Sequence, residues 1–223
     1  MTKIIRDEIL SRLKGATRGR PKPRPYLPPL PDVSLSCEEL VVHFSENIAG
    51  QTGLVYHVKD AEEARAELSE IANREGLSSI MVSTDAVTAS LKLPEWGKGA
   101  GVEVLTAKNF ANWEAYKDAV FNKVQAGVTG VDYAVAESGT ICLIHDKDQP
   151  RLISIAPHLH IAVLPLGRLF AIYENVMDLV FADEDNRPSH LTLTTGPSMT
   201  ADIQGGQFKG MHGPGKLIVM IIG

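Results

Sequence analysis

The chain has 223 residues, a formal net charge of −5, and 44% apolar, 22% charged and 6% aromatic residues. That composition excludes disorder or a fibrous repeat for its bulk, and the length suits one α/β domain or two small ones. The charge is uneven: residues 1–31 hold eight basic and two acidic residues, a balance of +6, which leaves −11 on the rest.

An acidic body excludes nucleic-acid binding by the main surface, because each phosphate contact needs a cation. Cys37 and Cys142 form no C-x-x-C pair, so neither an iron–sulfur cluster nor a structural zinc site can be written from cysteine alone. The first 15 residues have charges among their apolar positions and no cleavage-type site, so they do not read as a signal peptide. The longest aliphatic run, 217–222, is too short to span a bilayer. The expectation is a soluble protein of a reducing cytoplasm.

Residues 3–14 predict a short amphipathic basic helix, stopped by Gly15. Six of the 13 prolines follow within 15–31, which predicts an extended, polyproline-like stretch. Residues 1–35 therefore read as an arm, and 36–223 as the globular domain. So short a helix is marginal alone, which leaves the domain surface, a protein partner or a neighbouring copy as what it packs on.

In the body, Ser36 and Glu39 predict a capping box, with Leu40, Val41 and Phe44 on the buried face of the helix that follows. A strand at 54–58 precedes a helix that starts near Asp60 and Glu63 and stops at Gly76. Strands are expected at 79–82 and 102–105. Residues 110–125 predict a helix that buries Phe110, Trp113, Tyr116, Val120 and Val124. Strands follow at 133–135, 141–144 and 152–155, the last two joined as an antiparallel pair by the turn DKDQP. A strand at 161–164, a helix at 169–181 and strands at 191–194 and 217–221 complete the pattern. The fold class is α/β: a mixed, mostly parallel sheet with flanking helices.

Three segments carry polar residues that core elements do not need. In Ala136-Glu137-Ser138-Gly139-Thr140 a carboxylate and two hydroxyls surround a glycine, which suits either a self-satisfied turn or a ligand-facing site. In R-L-I-S-I-A-P-H-L-H, Arg151 offers a two-pronged anion contact. His158 and His160 are two apart, so on a strand they share a face. No third ligand is spaced nearby, so no metal is assigned. The third segment, 194–203 with 210–215, follows a strand with Gly, Ser and Thr. Such a turn, at the carboxyl edge of an α/β sheet, offers backbone N–H groups and hydroxyls to an anion. By spacing alone Ser198 could equally be a helix N-cap, and His212 a general base or a turn residue.

AESGTICL, R-x-x-S-x-x-P-H-x-H-I, GPSMTADI and MHGPGKLIVMII, in this order, resemble the LUD domain of the lactate-utilisation protein C (LutC) family over about residues 37–223. The resemblance implies a fold similar to the sugar-phosphate isomerase and coenzyme A transferase superfamily. It also implies a cytoplasmic bacterial protein that works with two iron–sulfur proteins in oxidising L-lactate to pyruvate. The clusters then belong to the partners, with no cofactor bound by this chain. Glu137 loosely resembles the glutamate that forms an acyl intermediate in the transferase relatives. Two positions depart from the common family pattern: Met199 stands where an arginine is usual, and Gln204 where a glutamate is.

The expected site comprises Glu137 and His212 as catalytic groups. Ser138, Gly139, Thr140, Arg151, His158, Gly196, Ser198, Thr200 and Asp202 are the expected ligand contacts. All are expected around one cleft at the strand ends. Three functional readings stay open: a cluster-free subunit of a lactate-oxidising system that binds a small carboxylate or organises its partners; a free-standing isomerase or acyl-transferase-like enzyme using Glu137; and a scaffold with a vestigial pocket.

Overall fold

The structure, a computed structural model, describes residues 3–15, 33–183, 185, 187–201 and 207–223. The chain divides into two units, residues 1–32 and 33–223. In the first, α1 (Lys3–Gly15) carries an Arg12–Glu8 ion pair one helical turn apart, at 2.8 Å. The proline stretch expected to be extended lies outside the described residues apart from Gly15.

The second unit opens with α2 (Cys37–Gly50), started by the capping box of Ser36 and Glu39. Strand β1 (Leu54–Val58) leads into α3 (Ala61–Glu75), where Asp60 accepts from the backbone of Glu62 and Glu63, and Gly76 ends the helix at φ 65°. Strand β2 (Ser79–Val82), the short helices α4 (Ala86–Ser90) and α5 (Leu93–Ala100), β3 (Glu103–Leu105) and α6 (Trp113–Asn122) follow. Next come β4 (Ala126–Gly130), β5 (Tyr133–Val135) and β6 (Thr140–Ile144), then α7 (Leu152–Ile155) and β7 (Leu159–Pro165). The chain closes with β8 (Leu169–Phe170), α8 (Tyr173–Val180), β9 (Leu191–Thr194), β10 (Met199–Ala201), β11 (Gln207–Lys209) and β12 (Lys216–Ile222).

Six strands form one wholly parallel sheet in the order β1-β12-β7-β4-β2-β3. A second sheet, β8-β5-β6-β9, is mixed, and β10 and β11 form an antiparallel hairpin. Alternate residues of the main strands feed two cores, as a period of two requires. Leu159, Ile161 and Val163 of β7 pack with Leu68 and Ile71 of α3 and Leu93 of α5. Ala162 and Leu164 face the other way, onto Phe44 and Ile48 of α2 and Ile141 and Leu143 of β6. Helix α8 covers the outer face of the second sheet through Val176 and Val180.

Several expectations need correction. Residues 152–155 are a helix, not a strand: Leu-Ile-Ser-Ile is too short for periodicity to decide, and local bonds Ile153 N–H to Pro150 O and Ser154 N–H to Arg151 O close it. The antiparallel partners of β6 are therefore β5 and β9, and β9 belongs to the second sheet. The predicted helix 169–181 begins with β8 and becomes helical only at Tyr173. Trp113, at the start of α6, is exposed and rests on Tyr116. His158 precedes β7, so it does not share a strand face with His160.

Candidate functional site

A cleft of about 380 Å³ opens at the amino ends of β7 and β12, under the carboxyl end of β9. Its floor is built by backbone proximity. Gly127 of β4 lies opposite His160 in register, and a Cβ there would sit 1.8 Å from the carbonyl oxygen of Ile153. Only glycine admits α7 so close, and α7 brings Ser154 and Ile155 to the cleft wall. Ser154 donates its hydroxyl to Arg151 O at 3.0 Å. A second close approach forms the opposite wall, where a Cβ on Gly196 would lie 2.7 Å from the Cβ of Gln51 at the end of α2.

His160 is the deepest polar group. The side chain is 1% exposed, and its Nε2 lies 2.9 Å from Thr129 Oγ1 on the neighbouring strand. Burial, with nearby His145 adding repulsion, pushes its pKa down to about 3, so the ring is neutral at ordinary pH. Thr129 is its sole partner among the described residues, which leaves Nδ1 for a ligand. His145, outside the lining, is also buried, with Nε2 2.7 Å from Thr192 Oγ1 on β9; burial lowers its pKa too.

The rim comes from two glycine- and proline-containing segments laced together by their backbones. Ser198 donates its N–H to Pro214 O at 2.8 Å, and Gly210 donates to Ser198 O at 2.9 Å. This sets Gly213 against Ser198 and places His212 on the lining. Thr195 connects the rim to a hydroxyl chain: Thr195 Oγ1 is 2.9 Å from Thr140 Oγ1, itself 2.8 Å from Ser138 Oγ. The described lining contains hydroxyls and two imidazoles and no Lys, Arg, Asp or Glu.

Of the expected residues, Gly196, Ser198 and His212 line the cleft directly. Thr140 and Ser138 reach it through Thr195. Gly139, at φ 63°, packs against α2, where a Cβ would meet Ile48 N at 2.7 Å. Glu137 is outside the lining: its carboxylate accepts from Tyr173 N–H at the start of α8, 2.8 Å away. Arg151 is exposed at the N-cap of α7, also outside the lining. His158 lines a neighbouring cavity, separated by the loop that contains Gly213. Thr200 sits in β10, opposite Phe208, and Asp202 lies outside the described residues. The turn after β9 leads into a hairpin rather than a helix, so Ser198 is not an N-cap. The cleft also faces the amino edge of the parallel sheet, not the expected carboxyl edge.

Sequence reasoning did not select Thr129, Ser154, His160 or Thr195. The available signal was His160 itself, an imidazole inside the apolar strand L-H-I-A-V-L, where a buried polar group demands a partner. Among the described residues no three His, Cys, Asp or Glu side chains gather as a metal site, and no helix is long and apolar enough to cross a membrane.

Comparison with known proteins places this geometry in a family, for the LUD domain profile matches residues 41–222. The chain belongs to the LUD domain family. A LUD relative, lactate utilization protein C of Deinococcus radiodurans, is 30% identical over 220 residues, covering 97% of this chain and 94% of the relative. Lactate utilization protein C of Macrococcus caseolyticus is 33% identical over 117 residues, 49% of this chain and 51% of the relative. This LUD chain spans about half the length of the first curated relatives it matches. The crystal structure of a DUF162 family protein from D. radiodurans shares the fold, with a TM-score of 0.61, 23% identity, and coverage of 85% of this chain and 100% of that one.

Proposed function

We propose that this LUD domain protein is the cluster-free subunit of a bacterial L-lactate utilisation system, holding a small carboxylate in the cleft between β7, β9 and β12. The near-full-length likeness to the D. radiodurans lactate utilization protein C carries the reading. The cleft supports it with donors that suit a small oxygen-rich acid: Ser198, Thr195 and the half-satisfied ring of His160. Two cysteines, one exposed and one buried, give this sequence no cluster of its own, so electron transfer falls to two iron–sulfur partner proteins in the cytoplasm.

The isomerase or acyl-transferase reading has less support. Its nucleophile, Glu137, caps α8, and no carboxylate lines the cleft among the described residues.

The test is twofold. L-Lactate or pyruvate is expected to raise the thermal midpoint, since a ligand at a hundredfold its Kd stabilises by about 2.7 kcal/mol. His160→Gln should abolish that rise. Tagged protein should co-purify with two cluster-bearing proteins, and deletion of its gene should stop growth on lactate. Normal lactate growth of the deletion strain would overturn the proposal.

A further inference from the structure

We infer that the cavity at the carboxyl ends of β2 and β3 binds a zwitterion with a compact apolar body, such as an aliphatic α-amino acid, with its carboxylate on Lys92 and its ammonium on Glu95. This goes beyond the small-acid reading and stands on different residues.

The fold opens the place. β2 and β3 are parallel neighbours, but the chain leaves them on opposite faces of the sheet. After β2 it runs to the face of α3, where Leu91 and Leu93 pack with Leu68 and Ile71. After β3 it runs to the other face, where Leu105 and Ala107 pack with Tyr116 and Val120 of α6. Such a divergence leaves a crevice at the carboxyl ends of two strands. The cavity measures about 300 Å³, at the lower end of the range of about 300–1,000 Å³ for small-molecule sites, so it suits a compact ligand. Its inner wall is apolar, from buried Val82 and Leu93 and half-buried Val104. The hydroxyls beside that wall have committed their protons within the protein: Ser83 donates to Asp85, Thr84 to Asp148, Thr88 to Ser83 O and Thr106 to Asn109. The inner end therefore takes an apolar group.

The charges stand at the mouth, where Lys92 and Glu95 are exposed and line the cavity. A lysine and a glutamate three residues apart on a helix commonly pair. These two form no ion pair or hydrogen bond, with each other or with any other group, among the described residues. Lys92 sits at the turn between α4 and α5 at φ 48° and ψ 46°, one of two non-glycine residues at positive φ among those described. Glycine or asparagine takes that conformation at less cost, so the strain is accounted for if the lysine side chain is used. The backbone is held there: Lys92 N–H donates to Ala89 O, and Lys92 O accepts from Glu95 N–H and Trp96 N–H. The nearby cation Arg65 lines an adjoining depression and donates to Leu91 O. A ligand that is only an anion would meet Glu95, and one that is only a cation would meet Lys92. A molecule with both charges at one end and an apolar body matches the whole lining.

Titration calorimetry of the full chain with L-leucine, isocaproate and isoamylamine tests this, since the last two keep the apolar body and one charge each. L-Leucine is expected to bind, and each analogue to bind at least about tenfold more weakly. Excess L-lactate should leave L-leucine bound; displacement would put the amino acid in the other cleft and overturn the inference. Lys92→Gly keeps the left-handed turn, so it should fold with a thermal midpoint close to the parent's and bind L-leucine at least about tenfold more weakly. Glu95→Gln should weaken L-leucine as well and strengthen isocaproate. No binding of L-leucine, an analogue binding as tightly, or a folded Lys92→Gly with unchanged affinity would overturn the inference and leave the small-acid reading standing.

Discussion

The two edges of the parallel sheet have opposite fates. At the carboxyl edge, β2 leads outward to β3 while β4 leads the other way through β7 and β12, and such a switch of direction opens a crevice where α/β sheets commonly bind ligands. Here, between β2 and β4, the polar groups bond to one another, although a cavity of about 300 Å³ remains beside them toward β3. Asp85 accepts from the N–H groups of Val87, Thr88 and Gly130 and from the Ser83 and Thr88 hydroxyls. Asp132 accepts from Ile144 N–H and Gln149 Nε2. At the amino edge of β7 and β12 the polar groups are only partly satisfied, as Nδ1 of His160 exemplifies. Topology opens both places; which one serves a small acid depends on whether the chain has already used its donors on itself.

Substitutions should separate the edges into one that carries stability and one that carries small-acid binding. The largest effect is expected from Asp85→Ala, which strands three backbone N–H groups and removes a helix cap. It should cost about 3 kcal/mol in urea denaturation with ligand affinity unchanged. A variant that folds normally but loses the ligand would erase the distinction.

Acid should act next. His160 and His145 are held below their unfolded pKa of about 6.5, so their contribution is complete above that value and lost as pH falls through it, when the unfolded chain gains protons that the fold refuses. From pH 7 to pH 5, His160 alone should remove about 2 kcal/mol. The buried Asp132 opposes this, because burial raises its pKa and so favours the protonated fold as pH falls. Denaturation curves at both pH values, repeated on His160→Gln, give the difference; an equal acid loss in that variant would show that another group is responsible.

Thr195→Val cuts the hydroxyl chain to Thr140 and should weaken ligand binding by about fivefold to tenfold, with less than about 1 kcal/mol lost in stability. Titration of L-lactate by fluorescence or calorimetry reads this directly, and unchanged affinity would remove Thr195 from the site. The smallest effect is expected for Glu137→Gln: under about 1 kcal/mol from a weaker α8 terminus, and no change in ligand affinity. A large loss of affinity there would restore Glu137 to the chemistry.

Much of the fold was legible. β1, β2, β5 and β9 stand where alternation and turn residues put them, and the Ser36 and Asp60 caps are formed as read. The illegible parts share a cause. β4, A-G-V-T-G, has too many glycines to read as a strand, yet those glycines are demanded by tertiary contacts: Gly127 by Ile153 O, and Gly130 by Asp85, whose Oδ1 would lie 2.2 Å from a Cβ. The site was half legible for the same reason. Gly196, Ser198 and His212 lie in a polar, turn-rich segment that announces itself, whereas Thr129 and His160 meet only across two strands distant in sequence.

The pairing of β1 with β12 has a consequence for synthesis. Leu54 lies beside Ile218, so the first strand of the domain waits for the last before its edge is covered. On a ribosome, α2 and β1 emerge early with Phe44 and Ile48 lacking the β12 residues they pack on. The domain therefore completes its sheet only after translation of residues 216–222, and until then a nascent chain exposes a sticky edge that suits a chaperone better than a neighbour.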